Sequence, residues 1–210
     1  MAIFLINLSP NEMERRLNEA LEVYVDAMRY PRNTENLRAG IWLEHIRRPG
    51  WQAVAAVEVR IEVADVADMA DGPAHPAPSA DELNNAPLRG VAYGYPGAPG
   101  QWWQQQVVQG LQRSGLSTLE IARLMNSYFE LTELHIHPHT QGRGIGEALT
   151  RRLLAHRREN NVLLSTPETN GETNRAWRLY RRLGFMDIIR RHYFAGDPRA
   201  FAILGRTLPL

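Results

Sequence analysis

The sequence predicts a mixed α/β (α+β) chain with one central sheet and helices on both faces. Short β-branched runs alternate with segments of helical periodicity along its length. From Tyr128 onward the order is strand, helix, strand, helix and two more strands, with Gly and Pro at the junctions. At 210 residues, 44% hydrophobic and 22% charged, the chain suits one domain over 1–210 with a substantial core.

Ala2–Leu8 is a short apolar run and reads as a strand. Ser9-Pro10-Asn11-Glu12 then opens a helix, with Ser as N-cap, Pro at the first position and Glu at the third. Met13, Leu17, Leu21, Tyr24, Val25 and Met28 continue it to Tyr30-Pro31. A second helix runs from Thr34 to Arg47 and closes at Pro49-Gly50, and Trp51–Val63 reads as a strand. Ala64–Pro87 is rich in Ala, Asp and Pro, with five acids and no base, and is expected to be a solvated, flexible loop.

Leu88–Tyr95 is the next strand. An extra helical segment follows at 101–127, broken around Gly115 and reopened by Ser117-Thr118-Leu119-Glu120. Tyr128–His137 is a strand stopped by Pro138. Gly144–Arg158 is a helix with Ala148, Leu149, Leu153 and Leu154 on its buried face. Val162–Ser165 is a short strand, and Asn174–Leu183 is a helix ended by Gly184. Phe185–Phe194 and Phe201–Leu208 read as antiparallel neighbours.

Composition excludes several chemistries. There is no cysteine, hence no disulfide, thiolate metal site or cysteine nucleophile. All 24 basic residues are arginine, so Schiff-base catalysis and the P-loop lysine are ruled out. A formal charge of +1 gives no global field directed at nucleic acid. No apolar run reaches the ~18 residues of a membrane span, and the N-terminus lacks the features of a signal peptide. A soluble, cytoplasmic monomer or homodimer with no membrane partner is expected.

The chemistry concentrates between Tyr128 and Phe185. His137-Pro138-His139-Thr140-Gln141-Gly142-Arg143-Gly144-Ile145-Gly146 joins a strand to a helix through glycines. Such a turn presents unpaired N–H groups at a positive helix end and lets a phosphate approach the main chain. The Rossmann fingerprint fails because its third glycine would fall on Glu147. Gln141-x-x-Gly144-x-Gly146 after a strand ending in Pro resembles the acetyl-CoA signature of the GCN5-related N-acetyltransferase (GNAT) superfamily, in a bacterial, actinobacterial-like form. Asn174-Arg175-Ala176-Trp177-Arg178-Leu179-Tyr180, continuing to Gly184-Phe185, is similar to that family's late helix.

The resemblance implies the GNAT fold, with a mostly antiparallel sheet, and direct N-acetyl transfer from acetyl-CoA to an amine acceptor. That acceptor is a protein lysine, a protein N-terminus or a small-molecule amine. It places the pyrophosphate on Gln141, Gly142, Arg143, Gly144, Ile145 and Gly146, and the thioester along the strand near Ile136 and His137. Asn174 is a further cofactor-binding candidate; it stands one place later than the family's asparagine, so Thr173 or Asn170 could replace it. Tyr180 is implied as the acid that protonates the departing thiolate.

Glu130 and Glu133 are the candidate bases. Three apart on a flat strand, they face opposite sides, so one of them reaches the site. Glu130 is preferred because it lies eleven residues before Gln141, where the family often carries its base. His135, His137 and His139 alternate, but Pro138 bends the strand and no metal is expected. Trp102, Trp103, Tyr93 and Tyr95 are candidates to line an acceptor pocket. Thirteen arginines against six acids from Gln141 onward suit a polyanionic cosubstrate. The alternatives are an acyl-CoA sensor without catalysis and an arginine-rich nucleic-acid binder.

Overall fold

The computed structural model describes residues 1–60, 77–168 and 174–210. Its frame is a seven-stranded sheet: β1 Ala2–Leu8, β2 Gln52–Val59, β3 Leu88–Pro96, β4 Tyr128–Ile136, β5 Asn161–Pro167, β6 Met186–Tyr193 and β7 Ala200–Thr207. The spatial order is β1-β2-β3-β4-β5-β7-β6. Every pair is antiparallel except β4 with β5.

Helices α1 Pro10–Arg15, α2 Leu17–Met28, α3 Thr34–Ile46, α4 Ala80–Asn85, α5 Trp102–Arg113, α6 Thr118–Met125, α7 Ile145–Leu154 and α8 Arg175–Arg182 cover the sheet. Met13, Leu21 and Trp42 of α1–α3 pack with Ala55, Val57 and Tyr93 into one core. Leu149, Leu153, Leu179 and Tyr180 of α7 and α8 pack with Val54, Ala56 and Ala92 into another. Adjacent strand residues thus feed opposite cores, as a pleated sheet requires. Helices α5 and α6 bury Trp103, Leu111 and Ile121 against Tyr128, Leu163 and Ile203.

Several elements differ from the sequence reading. The first long helix breaks at Arg16, whose guanidinium donates to Asn84 O at 3.1 Å and Ala86 O at 2.6 Å. The expected loop contains α4, opened by a Ser79–Glu82 capping box of the same kind as those at Ser9 and Ser117. The 64–76 part of that loop, and the end of the strand at 61–63, lie outside the described residues. Helix α7 stops at Leu154, four residues early, because Arg157 turns back to pair with Glu159 and stacks on Phe129 at 4.2 Å. Ala148 is exposed rather than buried.

Two departures from regularity position the site. The β4–β5 pairing spans only Tyr128–Glu130 against Asn161–Leu163, after which the strands part. In the β3–β4 ladder Tyr93 faces Glu133 and Gly94 faces Leu131, so Thr132 is an extra, bulged residue. The bulge shifts the pleat by one, and Glu130 and Glu133 both emerge on the α2–α3 face, opposite Tyr95 and Tyr93. The flat-strand expectation that they face opposite sides is therefore corrected.

Candidate active site

Where β4 and β5 part, a cavity of about 1540 Å³ runs through the sheet. Its lining combines the freed half of β4, Ser165–Pro167 of β5, residues of α2–α3 on one face and residues of α7–α8 on the other. Pockets for a single small ligand typically hold about 300–1,000 Å³. The extra volume leaves room for two reactants side by side.

On the α7–α8 side, the turn into α7 offers main-chain groups, beside side chains of α8 such as Tyr180. Gly142 and Gly144 have φ of +82° and +78°, and a Cβ at either would meet nothing within 4 Å. Gly144 is the N-cap of α7 and supplies no side-chain cap, in contrast to the serine boxes of α1, α4 and α6. The first intrahelical bond runs from Ala148 N to Gly144 O, leaving the N–H groups of Ile145, Gly146 and Glu147 without helix partners. Gly146 is needed for packing, since a Cβ there would lie 3.1 Å from Leu179 Cδ2. Gln141 braces the turn by donating from Nε2 to Ile136 O at 2.9 Å and accepting from Arg175 Nη1 at 2.9 Å.

Strand polarity sorts the neighbouring residues. His137 N–H donates to Arg89 O across the ladder at 2.9 Å. In an antiparallel pair the next residue points its polar groups the other way. The N–H of Ile136 therefore faces the open edge. His137 is not among the lining residues, and its Nε2 lies 3.4 Å from Asp26. Arg143 is exposed and also outside the lining. Asn174 lines the cavity while its Oδ1 accepts from Ala176 N at 2.8 Å as the N-cap of α8. Asn170 and Thr173 lie outside the described residues. Tyr180 lines the cavity from α8 with 7% of its surface exposed. Burial raises its phenol above the ordinary range, and the Glu133 charge adds to the effect.

The α2–α3 side is built from side chains. Glu133 accepts from Arg38 Nη2 at 2.8 Å and contacts His135 Nε2 at 2.5 Å. Burial would raise its carboxyl, but these two partners outweigh it and hold the group below the ordinary value. Glu130, 3% exposed, meets the Tyr95 hydroxyl at 3.4 Å, and among the described residues its Oε2 has no hydrogen-bond partner. Burial pushes its carboxyl up to about 8. The pocket candidates divide: Tyr95, Trp102 and Trp103 line the cavity, whereas Tyr93 is fully buried, 3.0 Å from His45 Nδ1. Sequence reasoning missed Tyr24, Arg38 and His45 of α2 and α3, and Arg48 just beyond α3, none of which belongs to a motif. Among the described residues, no group of three or more His, Asp or Glu could hold a metal ion, and no helix is long and apolar enough to cross a membrane.

A family model for the acetyltransferase (GNAT) domain matches residues 107–187. The GCN5-like protein acetyltransferase Rv2170 of Mycobacterium tuberculosis is 77% identical over 210 residues, covering all of both chains. The chain belongs to the GNAT family. It is an acyltransferase, and as a GNAT acetyltransferase it takes its acetyl group from acetyl-CoA. Two solved structures share the GNAT architecture. A GNAT-family protein of Desulfovibrio desulfuricans aligns over 98% of this chain and 99% of its own at TM-score 0.60 and 13% identity. Arabidopsis thaliana NAA60 in complex with acetyl-CoA aligns over 99% of each at TM-score 0.56 and 15% identity. At those identities the likeness is one of fold.

Proposed function

We propose that this GNAT enzyme acetylates a primary amine of a protein by direct transfer, with Glu130 as base and Tyr180 as acid. A protein acceptor is favoured because the relative at 77% identity is named a protein acetyltransferase. One observation carries the mechanism. The gap between β4 and β5 joins a face of unpaired main-chain N–H groups to a face holding a buried carboxyl with an unpartnered oxygen.

The open N–H groups of Ile145, Gly146 and Glu147 suit the pyrophosphate of acetyl-CoA. The outward N–H of Ile136 suits the thioester oxygen, where negative charge grows during attack. The acceptor nitrogen bonds to the carbonyl carbon, the C–S bond breaks, Glu130 takes the proton from nitrogen and Tyr180 gives one to sulfur. A lysine ammonium has a pKa near ~10.4, so a carboxylate at its ordinary value would sit about 6 units below it. Raised to about 8, the Glu130 carboxyl is a stronger base than an ordinary carboxylate and lies closer to that ammonium. Burial keeps the Tyr180 phenol protonated and able to donate. Glu133, tied to Arg38 and His135, holds α3 against the sheet.

The test is thiol release from acetyl-CoA with lysine peptides, free N-terminal peptides and small amines. Turnover with peptides exceeding that with small amines supports the reading. Tight acetyl-CoA binding with no turnover on any amine would overturn it in favour of a sensor.

A further inference from the structure

The sheet carries Glu130, but a residue just beyond the end of the neighbouring helix is placed to control it. Arg48 follows α3 and lines the same cavity as Tyr95 and Glu130. Its guanidinium lies 4.5 Å from the centroid of the Tyr95 ring, and its Nη2 is 3.1 Å from Glu44 Oε1. Tyr95 in turn donates its hydroxyl toward Glu130 Oε1 at 3.4 Å. The Arg48 side chain is 17% exposed and Glu44 72%, so the cation is held inside while its counter-ion faces solvent.

Groups facing Glu130 come from three elements: Glu133 and the Tyr128 phenol on β4, Tyr95 and Tyr93 on β3, and Arg48 beyond α3. Arg48 is the cation among them; Arg38 is committed to Glu133. A cation on a phenol face draws electron density from the ring and makes the hydroxyl a better donor.

We propose that Arg48 is a positioning residue for acetyl transfer: stacked on Tyr95 and steadied by Glu44, it sets the pH at which Glu130 becomes able to accept the acceptor's proton. The inference rests on Glu130 being the base. Arg48 favours the ionised carboxylate directly by its charge and indirectly through the Tyr95 hydroxyl. Glu44 draws on the same cation and weakens that influence.

The experiment follows the Glu carboxyl carbons by NMR titration of the labelled protein, alongside the pH profile of kcat/KM. Glu130→Gln assigns the Glu130 resonance. Arg48→Met keeps an unbranched stem against Tyr95 and removes the charge. It is expected to move the Glu130 midpoint and the rising limb of kcat/KM upward together by about half to one unit. Arg48→Lys should restore part of the shift, and Glu44→Gln should move both midpoints slightly downward. An unmoved Glu130 carbon in Arg48→Met overturns the proposal. A carbon that moves while the kinetic limb stays fixed leaves Arg48 coupled to Glu130 but refutes Glu130 as the base.

Discussion

At the α7 end of the cavity the groups on offer are main-chain N–H groups between Gly144 and Glu147, contiguous in sequence, with Tyr180 of α8 beside them. On the α2–α3 side they are side chains gathered from Tyr24 to Arg199. The first side suits a constant ligand, because a helix end and a glycine turn present the same dipoles whatever lies around them. The second can be retuned by single substitutions on α2 or α3 without touching the turn.

The main-chain side should fail all at once. Gly144→Asp places a carboxylate in the open space at φ +78°, where the cosubstrate phosphates are proposed to lie. Acetyl-CoA affinity should drop by about a hundredfold or more, and the rise in melting temperature with acetyl-CoA should vanish. The unliganded protein should melt a few degrees lower, because an L residue at φ +78° is strained even where no neighbour is displaced. A normal ligand-induced rise would show that the cosubstrate binds elsewhere.

Tyr180→Phe sharpens the contrast between holding the cosubstrate and using it. Turnover should fall by about ten- to a thousandfold with acetyl-CoA affinity nearly constant. Full turnover under chemistry-limited conditions would remove Tyr180 from the mechanism.

On the side-chain face the two glutamates should separate. Glu133→Gln breaks the buried pairing with Arg38 and His135, and should cost about 2 kcal/mol of stability in denaturant titration. Its activity per folded molecule should drop far less than that of Glu130→Gln. The reverse ranking would exchange their roles.

The smallest effect is a pH dependence. Glu130 sits at about 8 when folded, against 4.5 for an ordinary glutamate. Its protonation favours the fold in full below 4.5, and that contribution is lost as pH rises toward 8. Gln has no proton to lose. The melting-temperature difference, Glu130→Gln minus wild type, should therefore climb between pH 5 and pH 8.5 by several degrees. A flat difference would mean the carboxyl is ionised throughout.

The two sides also differed in how much the sequence revealed. Gln141, Gly144, Gly146 and Tyr180 could be placed because the turn and the late helix are local patterns whose spacing survives folding. The distance from Gln141 singles out Glu130, which lines the cavity, but not its relation to Glu133. Alternation assumes an unbroken pleat, and nothing in Leu131-Thr132-Glu133 marks the extra residue. Arg38, His45 and Arg48 give no signal because a polar residue on or just after a surface helix looks the same whether it meets solvent or a cavity. Helix α4 was legible in Ser79-Ala80-Asp81-Glu82, but the composition of the surrounding loop obscured it. Ala148 was misjudged because small apolar residues are tolerated on either face of a helix.

The short β4–β5 pairing has one more consequence. A strand with a free edge is ordinarily a template on which another chain can zip, and exposed templates invite aggregation. The free edge of β4 instead lines the cavity, with residues of α2 and α3 on one face and of α7 and α8 on the other. Acetyl-CoA has a slender arm bearing amides in its pantetheine. Where acetyl-CoA is proposed to lie, those amides would meet a strand edge that β5 leaves unpaired beyond Glu130, so the cosubstrate itself would cap the edge.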